Sequence, residues 1–465
     1  MNKETRIQKI EELLSQKAWG QQEIMWEDDL QLMPMYKVRL EYLVYNKYNG
    51  RILSRTKSIE QQYGNDFIQV EKDDGKELVE KLLWESKPDR NKKTKEDIEN
   101  HGQKEVGIIT RDGIIIDGNR RAMLLNKINK EGKVRNRDYF KAVILPVTLE
   151  ENRIEIEKLE TSYQMGADEK LGYNPIEKYL KAKNLQQKGV SVKDISDWMG
   201  ESKSTVDEYI AVMETMDDYL DYLNYNGIYT QLDGREDQFI NLTKWLSIFY
   251  GGGSVKVFDG YRDGDVDDLK IIAFDYIRVK YEGKRFRYLG YGQKQNHFFG
   301  NKEIWESFKK THFENISTIY DEEENINLDS ANLTATLNKR DGNFKQKAQG
   351  LLEDNLADHQ QKIFNQRHKD EPEKLIAKSI DAVNVAKNNK NVEKPDVLEK
   401  VEQLNEITTN ILHRKSPQRL LRQVLNLLSS VTVSKHAEDK ESLLECVKDI
   451  EKETYQLEKK IKHLE

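Results

Sequence analysis

The stretch Ile114 to Leu125, IIIDGNRRAMLL, constrains the fold more than any other part of this chain. Three β-branched residues run into Asp117-Gly118, and an apolar, helix-forming run starts at Ala122. β-Branched side chains suit a pleated strand, and glycine takes backbone angles that other residues avoid. Strand, tight turn and helix in that order commit the region to a mixed layer of helices on a sheet. The flanking sequence agrees. MYKVRLEYLVYNKYNGRILS alternates, placing Tyr36, Val38, Leu40 and Tyr42 on one face of an expected strand before an Asn49-Gly50 turn. GKELVEKLLWES is an expected amphipathic helix with Leu78, Leu82 and Leu83 inward, and KPDRNKKTKED an expected polar loop. EVGIITRDGIIID predicts two strands turning at Asp112-Gly113, and FKAVILPVTL a buried strand that stops near Pro146.

Beyond Glu150 the pattern turns helical. In VSVKDISDWMGESKSTVDEYIAVMETM, Ser191 is an expected N-cap, Ile195 and Met199 share a buried face, and Gly200 ends the helix. Ser202 or Ser204 caps the next helix, with Val206, Ile210 and Met213 inward, which is a helix-turn-helix pattern. DEEENINLDSANLT (321–334) and VAKNNKNVEKPD (385–396) read as linkers. In the last helix Leu443, Val447, Ile450, Thr454, Leu457, Ile461 and Leu464 step by four and three, a heptad seam. Val397, Val401, Leu404, Thr408 and Ile411 repeat that spacing. A bundle or hairpin of helices and an intermolecular coiled coil both satisfy it.

A chain of 465 residues exceeds one hydrophobic core, so several domains are expected. The expected fold class is α+β. Residues 1–35 form a helix and connector, 36–150 a small α/β domain, and 151–223 a helical domain with the helix-turn-helix. Residues 224–330 form a mixed α/β region, and 335–465 a helical region that dimerises or docks a partner protein. Charged residues make up 34% and apolar ones 37%, yet 22 Tyr, 13 Phe and 6 Trp supply real cores. No apolar run is long enough to span a bilayer, and the N-terminus has no signal-like core, so a cytoplasmic protein without membrane contact is expected. A single cysteine, Cys446, excludes an intrachain disulfide and is expected to be a buried structural thiol. The eight His are scattered without metal-ligand spacing.

The two arginines after the turn carry planar forks suited to phosphate oxygens. A helix starting there points its first N–H groups at the same place. From Arg111 to Lys141, nine Lys and Arg stand against four Asp and Glu, a local +5 within a chain of −7. Gly118, Asn119, Arg120 and Arg121 thus read as an anion site. A solvated basic helix start capped by Asp117 is the plainer alternative.

DGNRRAMLL resembles the Gly-x-x-Arg nucleotide motif of the ParB/sulfiredoxin-like superfamily. YNKYNGRI looks like that family's Asn-x-x-x-x-Arg segment through Asn46 and Arg51, without its usual proline. LGYNPIEKYLKAKNL is similar to its Leu-x-Asn-Pro-Ile-Glu segment. The resemblance covers roughly residues 36 to 223 and implies a bound nucleoside triphosphate, CTP or ATP, with Mg²⁺. It further implies that Asn174, Glu177, Lys178 and Arg51 complete the site. LETSYQ offers Glu160 and Gln164 where ParB proteins carry Glu-Asn-x-Gln, but the spacing is one residue longer and the Asn is missing. Sulfiredoxin chemistry is not implied, because Asn119 and Arg120 stand where its cysteine lies. The expected function is a ParB-like nucleotide switch controlling DNA or partner association, in a mobile-element or phage-defence setting. The alternatives are an NTPase or nuclease using Asp117, Glu160 and a metal on Glu160, and a scaffold without activity.

For DNA, Lys203, Ser204 and Thr205 at the start of the second helix are the expected contacts. The local charge pulls the other way: Ile176 to Leu220 holds six Lys and no Arg against nine Asp and Glu.

Overall fold

The computed structural model describes residues 1–132, 138–166, 174–281, 283–323, 333–413, 416–432 and 440–463. It divides into two compact units, Met1–Arg367 and His368–Glu465.

The first unit opens with α1 (Lys3–Leu14) and a hairpin, β1 (Gly20–Trp26) and β2 (Asp29–Arg39). The expected connector over 15–35 is therefore mostly strand. Only Ile24, Trp26, Met33 and Met35 of its two arms face a core below residue 36, and the turn is Glu27-Asp28, both with positive φ. β2 carries buried Tyr36 and Val38 but stops at Arg39, and Leu40–Tyr42 is a short 3₁₀ turn. Asn49-Gly50 leads not into a strand but into α2 (Leu53–Tyr63). α3 (Asp73–Ser86) follows as expected. The expected polar loop is α4 (Pro88–His101): Pro88 opens it at a position that needs no N–H, and only Asn91 and Ile98 are buried, too few for a visible apolar stripe. β3 (Gly107–Ile109), β4 (Ile115–Asp117), α5 (Asn119–Glu131) and β5 (Tyr139–Ile144) stand where expected.

The sheet order is β1-β2-β5-β3-β4, with β5 and β3 parallel and the other neighbours antiparallel. Central β5 shows period two. Phe140, Ala142 and Ile144 pack with Val38, Leu124 and Ile128 on one face, and Val143 and Leu145 with Ile108, Ile156 and Leu159 on the other. The second face is covered by α6 (Arg153–Thr161), which runs on through a π-helical turn, Ser162–Gly166.

α7 (Pro175–Gln187), α8 (Val192–Met199) and α9 (Lys203–Tyr222) form the helical domain. Ser191 caps α8, Gly200 ends it in the left-handed region, and Ser202 caps α9. Ile195, Met199, Val206 and Ile210 share a small core with Met165, Ala182 and Leu185, so two short helices joined by a glycine turn pack together as expected. The expected mixed region is helical among its described residues: α10 (Glu236–Phe249), α11 (Asp263–Arg278) and α12 (Lys302–Asp321), joined by short 3₁₀ turns. Val279, Tyr281, Phe286 and Leu289 anchor irregular chain to the large aromatic core. α13 (Leu333–Arg367) buries Leu337, Phe344, Leu352 and Leu356 in that core, so the expected C-terminal region does not begin at 335 but divides after Arg367. Residues 324–332 of the first expected linker lie outside the described residues.

The second unit holds α14 (Pro372–Ala386), α15 (Pro395–His413), α16 (Pro417–Ser430) and α17 (Lys440–Lys462). The expected linker at 385–396 is the short turn between the first two. No hydrophobic side chain among its described residues is buried. Cys446 is accordingly exposed, not buried as expected, since this unit has no core to take it in. Leu464 lies outside the described residues. Among the described residues no helix is long and apolar enough to cross a membrane.

Candidate functional site

The turn after β4 needs glycine twice over. Gly118 has φ +104°, and a Cβ there would stand 2.6 Å from Cζ of Phe140. Asn119 then enters α5 with its side chain buried. Its Oδ1 accepts from the Asn46 N–H at 2.9 Å, and its Nδ2 donates to the Ile115 carbonyl at 3.0 Å. It braces the turn and is not turned toward a ligand.

From Asn119 a chain of buried polar bonds crosses the molecule. Asn46 Nδ2 donates to Glu160 Oε1 at 2.8 Å. Gln164, on the π-helical turn, donates to the same oxygen at 3.2 Å and to the Ile116 carbonyl at 3.0 Å, and accepts from the Gly50 N–H at 3.1 Å. Lys181 of α7 reaches Glu160 Oε2 at 3.3 Å. Burial pushes the Glu160 carboxyl up and the Lys181 ammonium opposes it. Segments 46–50, 116–119, 160–164 and 181, far apart in sequence, thus meet in one lattice. Lys181 was not foreseen; its only local signal is its place one turn after Glu177 on the same helix.

The arginines sit at its rim. Arg121 pairs with Asp117 one turn back and donates to the Val106 carbonyl at 3.2 Å. Arg120 reaches Thr94 Oγ1 of α4 at 3.4 Å. A phosphate must therefore compete with Asp117 for Arg121, and Asp117 is an ion-pair partner here rather than a poised base. Glu160 is a poor metal ligand for the same kind of reason: both its oxygens already accept hydrogen bonds, one from an ammonium. Among the described residues no group of three or more His, Cys, Asp or Glu is placed to hold a metal ion.

The other expected residues lie elsewhere. Arg51 is half-buried in the turn before α2. Asn174 caps α7, accepting from the Ile176 N–H at 3.1 Å, and donates to Asp233 at 3.3 Å. Glu177 accepts from the Ser54 hydroxyl at 2.6 Å and the Ser54 N–H at 3.0 Å, tying α7 to α2. Burial, offset by those bonds, raises its carboxyl to about 7. Lys178 pairs with Glu201 at 3.1 Å. With these partners Asn174, Glu177 and Lys178 are built into the joint between domains, not offered to phosphates. Leu171, Gly172 and Tyr173 of the expected motif lie outside the described residues.

Lys203 and Ser204 are exposed and Thr205 half-exposed on the first turn of α9. Ser202 Oγ accepts from the Thr205 N–H at 3.1 Å and is hydrogen-bonded to Ser204 Oγ at 2.9 Å, so the hydroxyls also serve the cap. Neither protein-family models nor curated proteins match this chain.

Proposed function

We propose that the chain binds a nucleoside triphosphate at the Asp117–Arg121 turn and uses it to control association with DNA or a partner protein, in the manner of the ParB-like proteins it resembles. The phosphates would lie on Arg120, Arg121 and the first N–H groups of α5, which have no partner within the helix. The observation that carries this reading is the buried lattice from Asn119 through Asn46, Glu160 and Gln164 to Lys181. It ties the turn, through α6, to the helix that leads into the helix-turn-helix.

The coupling follows from the Asp117–Arg121 pair. A phosphate that draws Arg121 off Asp117 changes the charge balance of the turn, and Asn119, next to it, is fixed to the lattice. Such a ligand favours whichever arrangement of α7 to α9 fits the altered turn. Mg²⁺ arriving with the triphosphate would be held by phosphate oxygens rather than by Glu160. The reading therefore includes no hydrolysis step. On the DNA side, exposed Lys203 at the start of α9 supplies one phosphate contact, too little charge for tight binding without a partner.

The test is binding of labelled CTP, ATP and GTP, with Mg²⁺, to the wild type and to a protein carrying Arg120→Ala and Arg121→Ala. Losing two charge-assisted contacts costs about 3–6 kcal/mol, enough to abolish detectable binding. One triphosphate bound by the wild type and lost in the variant is the expected result. Equal binding by both proteins, or none by either, removes the triphosphate from this turn.

A further inference from the structure

Behind the lattice, α2, α6 and α7 enclose a cavity of about 340 Å³. Leu53, Ile156 and Leu185 form its apolar wall, with the exposed Tyr48 beside them. Three carboxylates also line it, and each has its own cation. Glu60 pairs with Lys47 at 2.5 Å, Glu157 with Arg153 at 3.3 Å and with Lys188, and Glu160 with Lys181 at 3.3 Å.

Lys57 is the exception. It projects from α2 into the cavity lining, is half-buried, and has no carboxylate at ion-pair distance among the described residues. Burial and the nearby Lys188 hold its ammonium below the ordinary lysine range, against the weaker pull of Glu60 and Asp217. The side-chain amide of Asn184, on the same lining, likewise has no hydrogen-bond partner among the described residues. An ammonium taken partly out of water without a direct ion pair is costly, and the half-buried amide beside it is left open to a ligand. Apolar walls, one cation outside any ion pair and one open amide are together the composition of a small-molecule site.

We propose that this cavity binds a small organic anion, a carboxylate or phosphomonoester on a compact apolar body. The anionic group would sit on Lys57 and the Asn184 amide, with the body against Leu53, Ile156 and Leu185. The volume lies at the low end of ligand sites, roughly 300–1,000 Å³, which suits a body of about one ring. None of Gly118 to Arg121 lines the cavity, so the site is separate from the phosphate turn and does not depend on that reading. Its position makes it an effector site. The Glu157–Lys188 pair also walls a neighbouring hollow that reaches Trp198 of α8, so an anion that draws Lys188 from Glu157 acts on the end of α7 and on the helix-turn-helix.

The test uses the full chain and three probes: benzoate, phenyl phosphate and the neutral benzyl alcohol. Affinities are measured by calorimetry on the wild type, on Lys57→Met, and on the Arg120→Ala, Arg121→Ala protein. At least one anion is expected to bind the wild type, ten-fold or more tighter than the alcohol. It should lose ten-fold or more in Lys57→Met and keep its affinity in the double arginine variant. Whichever anion binds tighter identifies the headgroup. Without a probe, Lys57→Met should melt no lower than the wild type, because it removes a half-buried charge that makes no ion pair among the described residues. The inference is overturned if neither anion binds, if the alcohol binds equally, or if Lys57→Met binds as well as the wild type. Loss in the arginine variant, or a lower melting point of Lys57→Met without probe, overturns it too.

Discussion

Glu177 shows what a single residue's surroundings add to its identity. As a residue near an Asn-Pro pair it reads as a ligand contact; in the fold it is buried and held by Ser54. Its carboxyl, raised to about 7 by burial, binds a proton more tightly in the folded than in the unfolded chain. Its contribution to stability is therefore full below the unfolded value, falls as pH rises through about 7, and is flat above that. Glu177→Gln should remove the slope. Melting curves at pH 5 and pH 8 should show the variant gaining on the wild type at the higher pH, by up to about 3 kcal/mol at roughly 1.4 kcal/mol per pKa unit. Parallel pH profiles would contradict the assignment. At this scale Gly118 and the cap residues Ser191 and Ser202 were legible, because a turn or a cap is decided by neighbours in sequence. The partners of Asn119 and Lys181, and the half-buried place of Lys57, were not, because packing between distant segments decides them. The pairing of Arg121 with Asp117, one helical turn apart, lay between the two: spacing allows it, and competition from an expected phosphate obscured it.

Elements with a strong period were legible and those without were not. β5 and α9 announce themselves through a nearly continuous apolar run and a four-three spacing. α4 buries only Asn91 and Ile98, and β1 only Ile24 and Trp26, so neither leaves a clear stripe. α17 is the opposite case, a clear stripe left exposed by the described residues. Leu443, Val447, Ile450, Leu457 and Ile461 are all 37% exposed or more. Apolar faces of that kind associate in water. The full chain should sediment as a dimer, and Ile450→Asp with Val447→Asp should shift it to monomer. A monomeric wild type would contradict a self-associating seam.

Across the whole molecule, the division into an α/β layer and a helix-turn-helix was legible, whereas the boundary after Arg367 was not. α13 is charged enough to resemble the helices that follow, yet its Leu337, Phe344 and Leu356 belong to the large helical core. Residues 224–323 were less legible for a related reason: Tyr225, Phe258, Tyr261, Phe286, Phe298 and Phe299 of the core lie in loops and 3₁₀ turns without a period, between helices that carry Phe239, Trp245, Phe274 and Trp305. Because the first unit contains every buried hydrophobic side chain among the described residues, a protein ending at Arg367 should keep the main melting transition. A melting point lowered by more than about 5 °C, a shift of roughly 1 kcal/mol or more for domains of ordinary size, would show that the second unit supports the first.

The proposed switch rests on Arg121 being held by Asp117 until a triphosphate takes it. Its most direct test is the affinity of Asp117→Asn for whichever triphosphate the wild type binds best. If Asp117 competes with phosphate, the variant binds more tightly, by about ten-fold for the loss of one charged competitor. If Asp117→Asn binds more weakly than the wild type, the carboxylate serves the ligand directly and the competition is wrong.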